Sequence, residues 1–432
     1  GIIQAFEEEN MQVLVIGGGG REHALVWKIK QSPKVEKIFC APGNAGIAEI
    51  AENIPIAADD IDNLLEFAVK NDIGLTVVGP EQPLVKGIVD RFEEKGLRIF
   101  GPNARAAELE GSKSFSKDIM KKYGLPTAEY KAFNSANSAA EYIKIKNCPL
   151  VVKADGLAAG KGVLLCQTAD EALAAVDSIM GKRSFGKAGD QIVVEEFLEG
   201  EEVSVLAFSD GQTVLLMDSA QDHKAAYDGD KGPNTGGMGA YSPAPIFTET
   251  MRQKVRDKIM LPMIRAMQQE GRPYKGILYA GLMLTKTGPQ ILEFNARFGD
   301  PETQPLLVRM DSDIIPIFEA CIDGTLDKCP LQWKSESSVC VVMAAKGYPD
   351  SYEKGKSISG LKDANALPGV VVFHAGTKEQ DGEVLTQGGR VLGVTAIGED
   401  TATGISRAYE AVNKIEWEGI HYRKDIGHRA SS

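Results

Sequence analysis

No apolar run in this sequence is long enough to cross a bilayer. The longest stretches without a charge or a strong break are short, such as 277–284 (ILYAGLML), whereas a membrane-spanning helix needs about 20 apolar residues. We therefore predict no transmembrane helix. The chain also lacks an opening segment that is first basic, then apolar, then small, so we expect no signal peptide. We expect residues 1–10 (GIIQAFEEEN) to be an appended tag ahead of Met11.

Positive charge is scarce. The chain has 48 Lys and Arg against 60 Asp and Glu, a formal net charge of −12. Such a chain has no global positive field that would attract nucleic acid or an anionic membrane. We therefore expect neither as a partner, and an anionic substrate requires that the positive groups be concentrated locally.

Cysteine is sparse. Six cysteines are scattered through 432 residues, with no C-x-x-C spacing and no nearby histidine pair, and neither they nor the five histidines form a triad-like motif. This pattern predicts buried thiols in a reducing compartment rather than a zinc site. The cytoplasm is therefore the expected location.

The length predicts about three domains, at roughly 150 residues each. Over 11–111, short apolar runs alternate with amphipathic helical patterns, including one predicted helix over 85–95. This alternation indicates βαβ units and a parallel, Rossmann-like sheet. Residues 112–332 have an α+β order, in which 227–245 is so rich in Gly and Pro that it is predicted to be a long functional loop. A β-rich third domain is expected over 333–428.

The glycine-rich segment 17–23 (GGGGREH) follows a strand and opens a helix, as in dinucleotide-binding folds. The fingerprint G-x-G-x-x-G fails in detail, because its third glycine position is Glu22 or His23, and the second strand (KIFC) ends without an acidic residue for a ribose. A nicotinamide dehydrogenase is therefore disfavoured. The loop can still present backbone N–H groups to a phosphate or a carboxylate.

A second glycine-rich segment, 153–162 (KADGLAAGKG), lies between two predicted strands. It is not a Walker A motif, since Lys161 stands where the last glycine should be and Val163 where Ser or Thr should be. A glycine-rich hairpin with adjacent lysines can cover a triphosphate with amides and ammonium groups. The alternative is an ordinary flexible hairpin.

The acidic segment 195–202 (EEFLEGEE) ends one predicted strand and begins another. One interpretation is a solvated acidic turn. The other is a hinge whose backbone contacts adenine while a carboxylate accepts hydrogen bonds from the ribose hydroxyls.

The segment 291–303 (ILEFNARFGDPET) gives the strongest single signal. Glu293 and Asn295 are two apart on a predicted strand, so their side chains point to the same face. A carboxylate and an amide oxygen suit Mg²⁺ that is also held by phosphate oxygens. Arg297 is expected to continue that face and could bind a carboxylate or a phosphate with its fork of donors. The alternative is a polar strand face without a ligand.

Five motifs in this order resemble the ATP-grasp ligases: SKSF at a helix start, KADGLAAGKGV, EEFLEGEEVSVLA, DHKAAYDGDKGPNTGGMGAYSP and LEFNARFGDPETQP. With GGGGREHAL, APGNAG, GPEQPL, AAKGYP and GGRVLGV, the chain is identified as a member of the glycinamide ribonucleotide synthetase (phosphoribosylamine–glycine ligase) family of that superfamily. The resemblance covers essentially all of residues 11–425.

The resemblance implies an N-terminal pre-ATP-grasp domain, a central ATP-grasp domain with a lid subdomain at about 129–199, and a C-terminal domain. It implies a C–N ligase of purine biosynthesis that uses ATP and Mg²⁺ (or Mn²⁺) to join glycine to 5-phosphoribosylamine through glycyl phosphate, and we expect a monomer. The nearest alternative is another ATP-grasp ligase or a carboxylase, which would share the ATP half but lack GGMGAYSP. A non-catalytic nucleotide sensor is disfavoured by the Glu293 and Asn295 pair.

Residue roles follow from the resemblance, motif by motif. The residues implied to hold ATP are Lys113, Lys153, Gly160, Glu195, Phe197, Leu198 and Glu202. The implied metal ligands are Glu293 and Asn295. The implied catalytic residues, in the glycine and reaction pocket, are Arg297 and Asp222. The residues implied to bind substrate, mainly phosphoribosylamine, are Gly18, Asn44, Glu81, Gly237, Lys346 and Arg390.

Overall fold

The computed structural model describes residues 10–158 and 161–430. Apart from Asn10, the expected tag lies outside the described residues, and so does Gly160. No helix in the described part of the chain is long and apolar enough to cross a membrane. All six cysteines are unpaired thiols, and four of them are buried.

The N-terminal part is a parallel five-stranded sheet with helices, as the alternating pattern predicts. Its strands are β1 (Met11–Gly17), β2 (Val35–Pro42), β3 (Glu52–Asn53), β4 (Ile73–Val78) and β5 (Ile99–Phe100). Its helices are α1 (Gly20–Ile29), α2 (Ile61–Lys70), α3 (Glu81–Val85), α4 (Ile88–Glu94) and α5 (Ala104–Gly111). The spatial order is β3-β2-β1-β4-β5.

This strand order indicates at which edge of the sheet a ligand is expected to bind. β1 pairs with β2 on one side and with β4 on the other, so the strand order reverses its direction at β1. Ligands of such sheets bind beyond the carboxyl ends of the strands at this switch point. The glycine-rich segment follows β1 there, and Glu81 follows β4. Both segments therefore reach the same edge of the sheet.

The helix predicted over 85–95 is present as α4 but begins three residues later. Val85 instead ends α3, and Gly87, which has a φ of +91°, separates the two helices. Only glycine adopts this left-handed conformation at little cost. The apolar pattern continues across the break, which is why the pattern alone did not show it.

The middle part contains two antiparallel sheets. After α6 (Lys113–Lys122) comes a four-stranded sheet. Its strands are β6 (Tyr130–Phe133), β7 (Leu150–Ala154), β8 (Val163–Cys166) and β9 (Ile192–Glu196), in the spatial order β6-β9-β7-β8. Its helices are α7 (Ala136–Ile145) and α8 (Ala169–Val176). β7 and β8 pair with Lys153 opposite Val163, so the second glycine-rich segment does join two antiparallel strands.

The second sheet carries the strongest sequence motif. Its strands are β10 (Glu201–Asp210), β11 (Val214–Leu216), β16 (Lys275–Thr285) and β17 (Gly288–Asn295), in the spatial order β11-β10-β16-β17. β10 is long and buried for most of its length because helices cover it. The helices of this part are α9 (Glu249–Val255), α10 (Leu261–Gln269), α11 (Thr303–Arg309) and α12 (Ile314–Asp323).

The prediction that 227–245 is entirely loop is wrong. Short strands occupy or border it: β12 (Gln221–Asp222), β13 (Ala225–Tyr227), β14 (Lys231–Asn234) and β15 (Gly239–Ser242). β13 and β14 form a two-stranded ribbon, and Gly229, with a φ of +71°, provides its turn. β15 is buried, so its backbone groups need partners, and it finds them in a neighbouring strand.

The C-terminal part is β-rich, as predicted. Its strands are β18 (Ser337–Ala344), β19 (Val370–His374), β20 (Thr377–Gln380), β21 (Glu383–Thr386) and β22 (Arg390–Gly398), and its helices are α13 (Leu361–Asn365) and α14 (Thr401–Val412). The main sheet has the order β12-β15-β18-β22-β19, and β20 pairs with β21. Two strands of the middle part therefore belong to the C-terminal sheet.

Candidate active site

One cavity of about 510 Å³ opens between the N-terminal sheet, the two middle sheets and β22. It brings together most of the residues that sequence analysis selected. Those that line it are Glu81, Lys113, Lys153, Glu195, Phe197, Leu198, Glu202, Asp222, Glu293, Asn295, Arg297 and Arg390. Residues up to about 310 positions apart in sequence therefore share one space, and we take the cavity as the candidate active site.

Four selected residues lie outside the lining of this cavity. Asn44 donates hydrogen bonds from Nδ2 to the carbonyl oxygens of Gly18 (2.9 Å) and His374 (2.8 Å), so it joins the first loop to the C-terminal sheet. Gly237 adjoins Gly236, which does line the cavity, and Lys346 is exposed.

Lys113 begins α6, where the Ser112 hydroxyl accepts a hydrogen bond from the Phe115 amide and caps the helix. Its Nζ donates to the carbonyl oxygens of Ala154 (2.8 Å) and Gly156 (3.1 Å) at the start of the second glycine-rich segment. Burial lowers the pKa of Lys113, against the opposing effect of Glu293. The ammonium group is thus positioned beside the hairpin that was expected to cover a triphosphate.

Glu195 is a buried carboxylate between two lysines. Lys153 Nζ lies 2.7 Å from Oε2, and Lys117 Nζ lies 2.8 Å from Oε1. Burial alone would raise the pKa of Glu195, but the two ammonium groups lower it overall. Sequence analysis missed Lys117, although its position one helical turn after Lys113 on α6 was a usable signal.

The hinge between β9 and β10 contributes Phe197 and Leu198 to the cavity wall. At the start of β10, Glu202 Oε2 accepts a hydrogen bond from Lys224 Nζ at 2.9 Å. This pairing raises the pKa of Lys224 well above its ordinary value. The acidic segment therefore contributes to the wall of the cavity, although Glu199 and Gly200 between the two strands are exposed.

Glu293 and Asn295 lie on β17, opposite Gly281 and Tyr279 of β16. Both side chains line the cavity, as the two-residue spacing predicts. Burial would raise the pKa of Glu293, but Lys224, Lys153 and Lys113 lower it overall, so the carboxylate stays ionised.

A carboxylate and an amide oxygen facing a lysine-lined cavity fit a divalent cation that takes its remaining ligands from phosphate and water. Among the described residues, no group of three or more His, Cys, Asp or Glu side chains could hold a metal ion by itself. This is the donor set expected where the nucleotide supplies the other ligands.

The prediction that Arg297 continues the face of the strand is wrong, because β17 ends at Asn295. Arg297 lines the cavity from the segment that follows. Its Nε lies 3.5 Å from Glu81 Oε2 and 3.5 Å from Glu110 Oε1. Although burial opposes it, these two carboxylates raise the pKa of Arg297.

Glu110, at the end of α5, is a cavity residue that no motif indicated. It is buried, and its Oε1 accepts a hydrogen bond from the Ala296 amide at 2.7 Å. Burial raises its pKa to about 7. Its role follows only from the way α5 packs against the end of β17, which sequence analysis does not supply.

The first glycine-rich loop binds a carboxylate of its own chain. Glu22 Oε1 accepts a hydrogen bond from the Gly19 amide at 2.9 Å, and a Cβ at Gly17 or Gly79 would overlap the Glu22 side chain. Glu22 thus fills the space that a pyrophosphate would need in a dinucleotide fold. Arg21 instead reaches the cavity and donates from Nη1 to the Phe298 carbonyl at 3.1 Å.

Arg390 reaches the cavity from the first position of β22. Its Nη1 donates to the carbonyl oxygens of Asp300 (2.8 Å) and Gly237 (3.4 Å). Although burial opposes it, the Asp300 carboxylate raises the pKa of Arg390. The GGMG segment, the FGDPET segment and the C-terminal sheet therefore meet at this guanidinium.

Family models match the chain almost end to end. The phosphoribosylglycinamide synthetase N domain matches residues 11–110, its ATP-grasp (A) domain matches 111–303, and its C domain matches 338–429. The chain belongs to the phosphoribosylglycinamide synthetase family. The resemblance seen in the sequence motifs, and the three-part fold class predicted from it, are thereby confirmed.

Members of this family are similar to this chain over nearly their whole length. The phosphoribosylamine–glycine ligase of Rhodopirellula baltica is 52% identical over 97% of each chain. That of Pseudomonas aeruginosa is 53% identical over 97% of this chain and 98% of its own. The crystal structure of the Thermotoga maritima phosphoribosylamine–glycine ligase superposes with a TM-score of 0.81 at 33% identity, covering 96% of this chain and 99% of that one.

The fold extends beyond the family. The biotin carboxylase domain of Hydrogenobacter thermophilus 2-oxoglutarate carboxylase has a TM-score of 0.74 at 16% identity, covering 95% of this chain and 91% of that one. At this identity the likeness shows the fold alone.

Proposed function

We propose that this chain, a C–N ligase of purine biosynthesis that joins glycine to 5-phosphoribosylamine with ATP, carries out the reaction in this cavity through glycyl phosphate. The products are glycinamide ribonucleotide, ADP and phosphate. The observation that carries this proposal is the full-length match to the synthetase family, combined with one cavity that brings the described ATP residues together with Glu81 and Arg390. The failed dinucleotide fingerprint of the N-terminal loop and the Glu22 carboxylate bound within it both argue against a dinucleotide enzyme.

The nucleotide is assigned to the side of the cavity that the two middle sheets form. Lys113 and Lys153 bind its phosphates, and the backbone of the hinge at Phe197 and Leu198 contacts adenine. Glu195 fixes Lys153 through their ion pair. Mg²⁺ is assigned to Glu293 and Asn295, and when bound it offsets the negative charge of the triphosphate and polarises the transferred phosphoryl group.

Glycine is assigned to the other side, near Arg297 and Asp222. A carboxylate oxygen of glycine attacks the γ-phosphorus, the bond to the β-phosphate oxygen breaks, and ADP leaves. The neutral amine of phosphoribosylamine then attacks the carbonyl carbon of glycyl phosphate. Phosphate departs and the nitrogen loses a proton, so an amide forms without a nucleophile from the protein.

Phosphoribosylamine is assigned to the edge of the N-terminal sheet, next to Glu81 and Arg390. Gly18, Asn44, Gly237 and Lys346 stay predicted contacts for it, supported by their positions in the matching motifs, and Gly160 stays a predicted ATP contact. The domain boundaries after residues 111 and 332, the lid at about 129–199, the use of Mn²⁺, the monomeric state and the cytoplasmic location also stay predictions.

The test is ADP release in a coupled assay from which glycine and phosphoribosylamine are each omitted in turn. The proposal predicts that turnover needs both, and that bicarbonate does not replace glycine. Turnover with bicarbonate in the absence of glycine would instead make the chain a carboxylase with the same fold.

A further inference from the structure

Glu302 is a buried acid in the cavity that takes no part in the proposed mechanism. It lies in the FGDPET segment just before α11, its relative exposure is 3%, and it still lines the cavity. Within residues 10–158 and 161–430, the carboxylate of Glu302 makes no hydrogen bond and no ion pair. A carboxylate taken out of water and left without a partner is unfavourable.

The position of this carboxylate is fixed by its surroundings. A Cβ at residue 299 would overlap Glu302 Oε2 and lie 2.8 Å from the ring of Tyr279. Gly299 therefore allows the side chain of Glu302 to lie flat against the backbone beside Tyr279. In this position Glu302 is also part of the cavity lining.

The nearby cations already have partners. Arg297 lies between Glu81 and Glu110, and Lys224 pairs with Glu202. Meanwhile the neighbouring Asp222 adds negative charge: burial first, and then Asp222, raise the pKa of Glu302 to about 8. At neutral pH this favours the protonated acid, and a cation approaching Glu302 and Asp222 lowers the pKa and restores the carboxylate. This end of the cavity therefore suits a cation, whereas the end that Lys113 and Lys153 line suits an anion.

The proposed substrates include one group that suits this end. Glycine enters as a zwitterion, and its ammonium group can stay protonated while its carboxylate is activated. The amine of phosphoribosylamine must be neutral to attack, and ATP is anionic. We infer that Glu302, with Asp222 beside it, binds the ammonium group of glycine and so selects an amino acid over other small carboxylic acids. This inference rests on the proposed function.

The test uses Glu302→Gln, which keeps the size of the side chain and removes its charge. ADP release is measured while glycine is titrated at saturating ATP and phosphoribosylamine, and then while ATP is titrated. Because a hydrogen bond to a charged group is lost, the KM for glycine should rise about 10-fold or more, whereas the KM for ATP should change less than about 2-fold. Glu66→Gln makes the same chemical change on the exposed face of α2, and both constants should stay unaltered.

A second readout separates recognition from a merely structural role. Glycolate carries a hydroxyl group where glycine carries ammonium. The ratio of kcat/KM for glycine to that for glycolate therefore measures how strongly the site prefers the ammonium group. Glu302→Gln should lower this ratio about 10-fold or more. Should that variant not fold, Asp222→Asn provides the same measurement and should shift the ratio in the same direction.

An unchanged KM for glycine, an unchanged ratio, or equal losses for glycine and ATP would each overturn the assignment of Glu302. These results differ from a failure of the proposed function. If the unmodified protein released no ADP in response to glycine, the function and this inference would fall together, whereas a glycine-dependent protein with an unaffected Glu302→Gln variant overturns the inference alone.

Discussion

Lys153 of β7 and Glu195 of β9 are diagonal neighbours on adjacent antiparallel strands, with 2.7 Å between the ammonium nitrogen and the nearer carboxylate oxygen. Lys117 approaches the other oxygen from α6. The carboxylate thus joins a strand lysine to a helix lysine in the wall of the cavity. Its removal would leave two ammonium groups almost completely buried without their shared counter-charge.

We therefore predict that Glu195→Gln lowers the free energy of unfolding at pH 7 by about 3–5 kcal/mol, the range for breaking a buried ion pair by removing one partner. Because the pKa of Glu195 is lowered in the fold, its stabilisation is present above the ordinary pKa of a glutamate and is lost as the pH falls through the folded value. Urea unfolding at pH 7 and pH 4 measures both effects. Glu129→Gln, at an exposed pair with Lys146, is the control and should leave unfolding unaltered. Equal free energies of unfolding for the two variants would contradict the role of Glu195.

Glu293→Gln is predicted to lower kcat far more than it weakens ATP binding. Glu293 is an ionised carboxylate facing three lysines, and its proposed metal has most effect when charge builds up on the transferred phosphoryl group. Loss of one such electrostatic contact typically lowers the rate on the order of 10²–10³-fold. Steady-state kinetics at saturating magnesium measure this, and a variant with nearly normal kcat would refute the assignment.

Arg390→Ala is predicted to raise the KM for phosphoribosylamine about 10- to 100-fold if the guanidinium holds the substrate phosphate, because a hydrogen bond to a charged group contributes about 1.5–3 kcal/mol. The KM for ATP should stay nearly constant. The arginine also donates to the backbone at Asp300 and Gly237, so thermal unfolding must be measured on the same variant. Parallel losses for both substrates would show that Arg390 only supports the fold.

The contact between α1 and β19 predicts a pH dependence of stability. The His374 amide donates to His23 Nδ1 at 2.7 Å, and burial lowers the pKa of His23 to about 3 and that of His374 to about 4. Both rings stay neutral in the fold, whereas the unfolded chain binds protons below about pH 6.5. Stability therefore falls as the pH drops from about 6 to 4, by on the order of 1 kcal/mol per pH unit for each histidine.

His23→Asn keeps an acceptor for the amide and removes one titrating group. We expect a shallower dependence of the free energy of unfolding on pH than in the unmodified protein, by on the order of 1 kcal/mol per pH unit. Urea titrations at several pH values between 4 and 7 provide the two slopes. Identical slopes would show that His23 is protonated in the folded state.

Sequence analysis predicted what local patterns encode. The buried run of β1, the antiparallel pair β7 and β8, and the shared face of Glu293 and Asn295 follow from spacing and apolar content, and the structure has them. The break at Gly87 was not predicted, because an apolar pattern can continue through a left-handed residue.

Tertiary contacts account for the remaining features of the structure that the sequence patterns did not predict. Glu110 enters the cavity only because α5 packs beside β17, and no motif contains it. Glu302 lies within the strongest motif, but its spacing from Glu293 and Asn295 did not indicate that it lines the same cavity. Likewise, β15 forms within a Gly- and Pro-rich segment because β18 offers its backbone partners. Such pairings depend on residues about 100 positions away, which no local window contains.

The central claim is that the glycine carboxylate is activated by phosphoryl transfer in this cavity. Glycine labelled with ¹⁸O in both carboxylate oxygens tests it most directly, with mass spectrometry of both products. If the carboxylate attacks the γ-phosphorus, each turnover leaves one labelled oxygen in inorganic phosphate and one in the amide carbonyl of glycinamide ribonucleotide. Phosphate without label, released in step with the amide product, would contradict the account.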